Sequence, residues 1–199
     1  MDLGLPSGLK WATCNVGATR PEEYGEHFAW GETKPKSDYS WATYKWCKGS
    51  DNNLTKYCPS DMADYWGGSG SPDNKLQLDL KDDAAWVNWG GNWHMPTKAD
   101  WRELIDNCTR TWTINFNGSG VAGRIFTSNQ SGYTDKSIFF PAAGYWDGVS
   151  LEYEGKLADY WASSLNSQRL AWLVSSYTGG IVTAGQYRCY GLSVRPVTK

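Results

Sequence analysis

Cysteine and histidine are the side chains of this sequence best suited to nucleophilic or metal chemistry, and they are few. The chain has five cysteines and two histidines. No two cysteines have C-x-x-C spacing, which makes a zinc site improbable, and no histidine has an obvious nucleophile beside it. Cys47 and Cys58 flank a polar loop, so they form either a disulfide in an exported protein or two free thiols. Cys14 and Cys108 have apolar neighbours and are predicted to be buried thiols.

Acidic residues occur in neighbouring pairs, the other arrangement that could support catalysis. The pairs are Glu22–Glu23, Asp82–Asp83, and Glu152 with Glu154. A glycosidase needs two carboxyl groups that converge on one cleft. Adjacent acids are also ordinary on exposed turns and at helix N-termini, where the helix dipole favours negative charge. We expect the ordinary role, although spacing along the chain does not separate the two.

Aromatic and arginine side chains are concentrated near the C-terminus. Residues 160–197 contain Tyr160, Trp161, Arg169, Trp172, Tyr177, Tyr187, Arg188 and Tyr190. Such side chains anchor binding surfaces because they give a large contact area at low entropic cost. They also fill the cores of β-rich domains, and composition alone leaves both roles open.

The pattern of residues 170–177 predicts a strand with one buried and one exposed face. The face expected to enter the core carries Leu170, Trp172, Val174 and Ser176. The face expected to contact a ligand carries Ala171, Leu173, Ser175 and Tyr177. Gly179–Gly180 predicts a turn into a strand over residues 181–184, and residues 185–190 are predicted to form an exposed loop. A closing strand over residues 192–197 is expected to bury Leu192 and Val194.

Those segments need a scaffold that holds them in place, and the sequence predicts two helices in that scaffold. Asp82–Asp83 can cap a helix over residues 84–89, and Thr97-x-x-Asp100 approximates the capping box of a second helix. That helix has one apolar face, because residues recur at helical spacing at Trp101, Leu104, Ile105 and Cys108. Strands are predicted over residues 10–16, 27–30, 112–116, 124–127, 137–140 and 144–146. Residues 33–80 are predicted to be a long ordered surface excursion.

The composition of the whole chain excludes several classes of function. Its 199 residues suffice for one well-buried domain, and the net charge of −2 comes from mixed acids and bases. There is no basic stripe for nucleic acid, no polybasic membrane patch, and no apolar run of about 20 residues to span a bilayer. Met1 leads directly into domain-like sequence, so we expect neither leader nor anchor in this chain. Thirteen tryptophans, twelve tyrosines and 22 glycines predict a loop-rich fold with a core of large rings.

Six short motifs occur in a fixed order along nearly the whole chain. They are GLPSG (4–8), WATCNVGA (11–18), FAWGE (28–32), NWHMPT (92–97), FPAAGY (140–145) and GLSVRPV (191–197). Together they resemble the Fibrobacter succinogenes major paralogous domain family, which is similar to the formylglycine-generating enzymes. The resemblance implies an α+β, C-type-lectin-like fold with two helices beside small antiparallel sheets, many ordered loops and termini close together.

The segment from Tyr160 to Val197 has a narrower resemblance, to the variable regions of proteins diversified by retroelements, including phage tropism determinants and bacterial surface proteins. In those systems, copying errors at template adenines change chosen codons while scaffold codons stay fixed. Residues that match the fixed scaffold are Trp161, Trp172, Val174, Gly191, Ser193, Val194 and Arg195. Residues that fall where such templates vary, and that we predict to bind a ligand, are Arg169, Leu170, Leu173, Ser175, Tyr177, Thr183, Ala184, Tyr187, Cys189 and Tyr190.

The resemblance does not extend to catalysis or to calcium-dependent sugar binding. Formylglycine-generating enzymes use two nearby reactive cysteines late in the domain, whereas Cys189 is the only late cysteine here. The Glu-Pro-Asn and Trp-Asn-Asp signatures of calcium-dependent lectins are missing. Asp147, Glu152 and Asp159 could still hold a structural calcium ion, and exposed rings could stack on sugars without metal.

We therefore expect a single domain over residues 1–199 that displays a non-catalytic binding surface of receptor or adhesin type within residues 160–197. Its expected partner is a protein or a glycan on another cell, phage or host surface, which places the domain at a cell surface, outside the cell or on a phage particle. We expect no cofactor, although the acidic residues named above could hold a structural calcium ion, and we expect neither nucleic-acid binding nor membrane insertion. The alternatives are a non-diversified carbohydrate-binding or adhesion paralogue and, less favoured, an enzyme related to formylglycine-generating enzymes or a glycosidase.

Overall fold

Both predicted helices are present in the computed structural model, which describes residues 1–199. The helix α1 spans Ala84–Trp89, and the carboxylate of Asp83 accepts two backbone N–H groups at its start. The helix α2 spans Lys98–Asn107, and Thr97 and Asp100 form the reciprocal bonds of a capping box. The predicted caps are confirmed. No helix is long and apolar enough to cross a membrane.

Twelve short strands form four small sheets, which makes the chain an α+β protein with few helices, as predicted. In chain order the strands are β1 (Lys10–Trp11), β2 (His27–Phe28), β3 (Cys108–Thr113), β4 (Gly123–Ser128), β5 (Ser137–Pro141), β6 (Tyr145–Asp147), β7 (Ser150–Glu152), β8 (Ala158–Leu165), β9 (Leu170–Tyr177), β10 (Gly180–Tyr187), β11 (Leu192–Ser193) and β12 (Val197–Thr198). Three short 3-10 helices cover Ser60–Tyr65, Leu80–Asp82 and Phe116–Gly118. β1 pairs with β12, β6 pairs with β7, and β3, β4 and β5 form an antiparallel sheet in that order.

The largest sheet has the strand order β10-β9-β8-β11-β2. The strands β9 and β10 form a hairpin whose register joins Tyr177 to Gly180 at the turn and Leu170 to Tyr187 at the open end. The strand β8 pairs antiparallel with β9, and β11 runs parallel to β8. As a result, β10 is an edge strand and β9 is an inner strand.

One face of this sheet packs on the three-stranded sheet and on α2. Val174 of β9 and Tyr160 of β8 lie in a hydrophobic cluster, here called the first core, together with Trp101, Phe126 and Phe140. Their rings meet at tilted or edge-on angles, as buried aromatic pairs prefer. The ring-built core predicted from composition is confirmed on this face.

The opposite face of the same sheet is also buried. Leu173, the residue before Val174, points away from the first core and packs in a second core with Trp161, Leu165, Met95 and Ala85. The inner strand β9 therefore has hydrophobic side chains on both faces. The prediction that one face of residues 170–177 is free to contact a ligand is wrong for this reason.

Residues 33–80 are ordered, as predicted, but they are more than a surface excursion. Tyr39, Tyr44 and Tyr57 from this segment are 2%, 2% and 0% exposed. The hydroxyl of Tyr39 donates to the carbonyl of His27 at 2.7 Å, and that of Tyr44 donates to the carbonyl of Trp30 at 2.7 Å. The segment supplies part of the hydrophobic core and satisfies backbone carbonyls beside β2.

Several predicted boundaries are wrong. The strands predicted over residues 10–16 and 27–30 are only two residues long, and the strand predicted over residues 112–116 lies instead at Cys108–Thr113. The exposed loop predicted over residues 185–190 is mostly strand and core. β10 runs as far as Tyr187, because it pairs with the full length of β9, and Arg188 and Cys189 are buried.

All five cysteines are free thiols, so the alternative of a disulfide between Cys47 and Cys58 is not realised. Cys108 is buried, as predicted, and Cys14 is only half-buried. Burial raises the pKa of the Cys108 thiol to about 11. A thiol in that environment stays protonated and chemically inert.

Candidate ligand-binding surface

A row of aromatic rings lies at the open end of the β9–β10 hairpin. We define the aromatic row as Trp41, Tyr187, Tyr190, Tyr145 and Tyr153, in spatial order. Successive ring centroids are 6.2, 5.5, 5.7 and 5.9 Å apart. Tyr187 and Tyr153 are 38% and 53% exposed, and the other three rings are half-buried. The row is therefore a continuous aromatic surface that solvent reaches.

Three distant parts of the chain supply these rings. Tyr187 ends β10, and the backbone N–H of Tyr190 donates to the carbonyl of Tyr187 at 3.0 Å, which closes a tight turn. Tyr145 begins β6, and Tyr153 follows β7 with a φ of +56°, in the left-handed region that a non-glycine residue rarely adopts. Trp41 comes from the segment of residues 33–80. The fold thus assembles the row from elements that no local sequence pattern joins.

The backbone beside the row is held in place at Gly191. The N–H of Gly191 donates to the carbonyl of Trp146 at 3.0 Å, and its carbonyl accepts from the N–H of Trp146 at 2.8 Å. A Cβ atom at Gly191 would lie 2.6 Å from the ring of Tyr39, so only glycine fits. This pairing fixes the turn after β10 against β6.

A buried arginine fixes the same turn from inside. Arg188 is 0% exposed. Its guanidinium donates to the carbonyls of Lys56, Tyr57 and Gln168 at 2.9, 3.0 and 3.1 Å and to the hydroxyl of Tyr44 at 3.2 Å. Buried charge is tolerated where its donors find acceptors, and all three guanidinium nitrogens of Arg188 donate here. The row is consequently mounted on a rigid backbone.

Two rings of the row, those of Tyr190 and Tyr145, are held in the uncharged form at neutral pH. The hydroxyl of Tyr190 donates to the Asp147 carboxylate at 2.8 Å, and burial together with this bond raises the pKa of Tyr190 well above its ordinary value. Burial also raises the pKa of Tyr145, as do the neighbouring Tyr153 and Asp159. Neutral phenol rings offer apolar faces for stacking and hydroxyl groups for hydrogen bonds.

The ten predicted ligand-binding residues are not brought together at this surface. Two of them, Tyr187 and Tyr190, belong to the aromatic row. Tyr177 and Thr183 are exposed elsewhere on the hairpin. Four are half-buried: Arg169, Leu170, Ser175 and Ala184. Arg169 is already engaged, because its Nη1 donates to the Asp51 carboxylate at 2.6 Å.

The remaining two predicted residues are buried, and the prediction that they face a ligand is wrong. Leu173 is 3% exposed because it packs in the second core. Cys189 is 1% exposed and packs with Ala29, Tyr39 and Tyr44. Burial raises the pKa of the Cys189 thiol to about 12, which keeps the sulfur protonated and unreactive.

The predicted residues of the hairpin also point to both faces of the sheet. Thr183 lies opposite Val174, so both side chains are on the face of the first core. The next residue, Ala184, lies opposite Leu173 and is on the other face. These positions therefore do not make one continuous surface.

Three members of the row were not predicted from the sequence: Trp41, Tyr145 and Tyr153. Two signals pointed near them, the aromatic residues scattered through residues 33–80 and the FPAAGY motif that ends at Tyr145. Neither signal specifies exposure or proximity. Their role depends on tertiary packing.

Two of the three acidic pairs have members with structural partners, and the third, Glu152 with Glu154, is exposed. Glu23 accepts hydrogen bonds from Thr19 and Arg20 in an exposed turn, and these bonds lower its pKa to about 2. Asp83 caps α1, and Asp82 is paired with Lys56. These are the ordinary roles expected for adjacent acids in turns and at helix starts.

The two histidines contact backbone carbonyls. The Nε2 atom of His27 lies 3.2 Å from the carbonyl oxygen of Ala143, and the Nδ1 atom of His94 lies 3.0 Å from that of Asn92. Burial lowers the pKa of His27. No three side chains of the types His, Cys, Asp and Glu converge in a way that could hold a metal ion.

Comparisons of the chain with protein-family models, with curated proteins and with solved structures found no match. Its function must therefore be argued from its own residues.

Proposed function

We propose that this chain is a non-catalytic, ligand-binding domain of receptor or adhesin type that binds its partner on the aromatic row. The observation that carries the proposal is the row itself. Its five rings are neighbours in space, all are accessible to solvent, and Arg188 and Gly191 fix the backbone beneath them. Rigid tyrosine and tryptophan side chains lose little entropy on binding and contribute large contact areas. Because the row is already ordered in the folded domain, most of the entropic cost of fixing these side chains arises on folding and not on binding.

The partner in this proposal is a protein or a glycan on another cell, phage or host surface, so the domain would act outside the cell or on a phage particle. Tyr145 and Tyr190 are stacked with ring planes 10° apart, and their apolar faces suit stacking on sugar rings. A carbohydrate ligand is the second candidate on this ground. A protein ligand is favoured equally by the tyrosine-rich composition of the row.

The same proposal includes a C-type-lectin-like fold. Two features support it: two helices beside small, mainly antiparallel sheets, and the pairing of β1 with β12, which brings the chain termini together. The resemblance to the Fibrobacter succinogenes major paralogous domain family implies both features. The fold has no bearing on ligand identity.

Diversification of residues 160–197 by a retroelement belongs to the proposal in a restricted form. The residues matched to a fixed scaffold include Trp161, Val174, Val194 and Arg195, all at most 2% exposed, which supports their constancy. Exposed positions such as Tyr187 can change without loss of packing. Buried positions such as Leu173 and Cys189 do not fit that role, and a non-diversified paralogue with the same fold is the alternative.

Binding by the row is tested with two variants of the same hairpin. Tyr187 and Tyr177 are both 38% exposed, but Tyr187 lies in the row and Tyr177 lies at the turn end. The labelled domain is applied to a glycan array and to a panel of surface proteins, and each hit is measured again with Tyr187→Ala and Tyr177→Ala. We expect Tyr187→Ala to weaken binding at least tenfold and Tyr177→Ala to leave it within twofold, because truncation of a tyrosine anchor costs about 2 kcal/mol or more.

Other outcomes separate the components of the proposal. Equal loss in both variants would favour the whole hairpin as the ligand surface, and equal retention would eliminate the row. Diversification is tested at the DNA level. A near-repeat of the codons for residues 160–197 that differs only at adenines, beside a reverse transcriptase gene, would support it, and a lone copy would favour the ordinary paralogue.

A further inference from the structure

A pocket of about 330 Å³ lies at the turn end of the hairpin, between the edge strand β10 of the large sheet and the strands β3 and β4 of the three-stranded sheet. Its lining residues are Arg110 of β3, Arg124 of β4, and Gly180 and Ile181 of β10. The three-stranded sheet and the large sheet pack on opposite sides of the first core. The pocket lies between them, at the solvent-exposed margin of this packing. Two of its four lining residues carry a positive charge.

Arg124 is nearly buried, at 5% exposure, and is only partly satisfied by the protein. Its Nε donates to the hydroxyl of Ser176 at 2.8 Å, and its Nη2 donates to the carbonyls of Gly180, at 3.0 Å, and Tyr177. These bonds join the two sheets. The third nitrogen, Nη1, donates to no protein group.

The other buried arginines show how this chain satisfies a guanidinium that has only a structural role. In Arg188 and in Arg195, Nε, Nη1 and Nη2 each donate to an oxygen of the protein. Neither of them lines a pocket. Arg124 differs because its Nη1 has no acceptor in the protein and because a second arginine, Arg110, lines the same pocket.

No carboxylate compensates the charge of this pocket, although the guanidinium of Arg124 lies 5.4 Å from the ring centroid of Trp112. The ion pairs made by arginines in this chain involve Arg20, Arg102 and Arg169, and neither Arg110 nor Arg124 has a carboxylate partner. Burial and the charge of Arg110 both lower the pKa of Arg124. Since an arginine side chain remains charged at neutral pH, two like charges share a partly desolvated site.

We propose that this pocket binds an oxyanion, such as a sulfate, phosphate or carboxylate group, between Arg110 and the free Nη1 of Arg124. Guanidinium groups form short, often bidentate hydrogen bonds with such anions. A bound anion would neutralise the pocket and occupy the unused donors. Because the strands of the hairpin rise about 3.3 Å per residue, the pocket lies roughly 20 Å from the aromatic row and binds independently of it.

The test measures the melting temperature of the domain as sodium sulfate is added in the low millimolar range, with sodium chloride keeping the ionic strength constant. Anion binding to the folded state raises the melting temperature in a saturable way. We expect saturation for the wild-type chain and at least a tenfold weaker response for Arg110→Gln. Phosphate and acetate titrations identify which oxyanion geometry the pocket prefers.

Two features keep the result interpretable. Arg110 makes no contact that joins the sheets, so Arg110→Gln should fold and should be at least as stable as the wild type in chloride alone. Arg102→Gln is the matched control, because Arg102 is an exposed arginine paired with Asp106. Equal, unsaturated responses to all three oxyanions in the three proteins would reflect general salt effects and would overturn the proposal.

Discussion

The centre of the β9–β10 hairpin and its open end belong to one segment, yet their surroundings differ. At the centre, Leu173 is 3% exposed and its neighbour Val174 is 2% exposed, because a hydrophobic core covers each face of β9. At the open end, Tyr187 is 38% exposed. Alternation along a strand divides core from surface only where one face of the sheet is free. In this sheet, exposure depends on distance from the centre and on closeness to an edge.

The same difference in burial predicts where substitutions should be tolerated. Substitution at the centre removes packing from one of two cores, whereas substitution at the open end changes a ring that solvent already reaches. The open end is nevertheless fixed in position, since Arg188 anchors it from beneath. We therefore expect the exposed side chains of the open end to be replaceable without a change in the shape of this surface, as long as Arg188 remains.

The largest expected effect is therefore at the anchor. Arg188→Ala leaves the carbonyls of Lys56, Tyr57 and Gln168 without their donor in a buried site. Each unsatisfied carbonyl costs about 1–3 kcal/mol, so we expect the free energy of unfolding to fall by about 5 kcal/mol. Urea denaturation measures this loss. The control, Arg102→Ala, removes an exposed ion pair worth at most about 1 kcal/mol, and similar losses in both variants would contradict the role of Arg188.

The sequence predicted those elements whose signals are local. The caps of α1 and α2 depend on residues within one helical turn, and the bounds of β9 at Leu170–Tyr177 follow from its residues alone. The burial of Arg188 was not predictable in this way. Its acceptors come from residues 44–57 and from Gln168, and only the folded chain brings the former near β10.

The same limit explains the candidate site. Tyr187 and Tyr190 were identified because they lie in a segment already marked by composition and resemblance. Trp41, Tyr145 and Tyr153 lie far from them in the chain, and the row exists only through packing. Leu173 was assigned to the surface because the sequence does not reveal that Met95 and its neighbours cover that face.

The next largest effect is at the centre of the hairpin. Leu173→Ala removes side-chain atoms from the second core and leaves a cavity, which costs about 2–5 kcal/mol. The control is Thr183→Ala on the exposed edge strand, which should change the free energy of unfolding by no more than about 0.5 kcal/mol. Both values come from urea denaturation. A Leu173→Ala variant as stable as the control would contradict the burial of Leu173 and indicate that its side chain faces outward.

A third prediction concerns Asp159, which lies beside the centre of the hairpin opposite Ser175 and is 3% exposed. Burial raises its pKa to about 6, although the neighbouring Ser175 hydroxyl opposes the rise. Its pKa in the unfolded chain is about 3.9, so the folded state binds the proton more tightly. Ionisation therefore destabilises the fold as pH rises from about 4 to 6, and the full cost is present above pH 6.

Asp159→Asn removes this cost. At pH 7 to 8 the variant should be more stable than the wild type by up to about 3 kcal/mol, since each pKa unit corresponds to about 1.4 kcal/mol. Below pH 4, where the wild-type carboxyl is protonated, the two proteins should have equal stability. Unfolding free energies measured across this range decide the matter, and a difference that does not change with pH would assign the effect to packing instead of charge.

The smallest expected effect on stability is at the two exposed tyrosines, and it separates folding from binding. Tyr187→Ala and Tyr177→Ala should each change the free energy of unfolding by about 1 kcal/mol or less, because neither ring is in a core. Only Tyr187→Ala removes a ring between Trp41 and Tyr190 and so interrupts the aromatic row. A large loss of stability in Tyr187→Ala would mean that the row is packing and not a surface, since a ligand-contacting side chain must be removable without unfolding the domain that presents it.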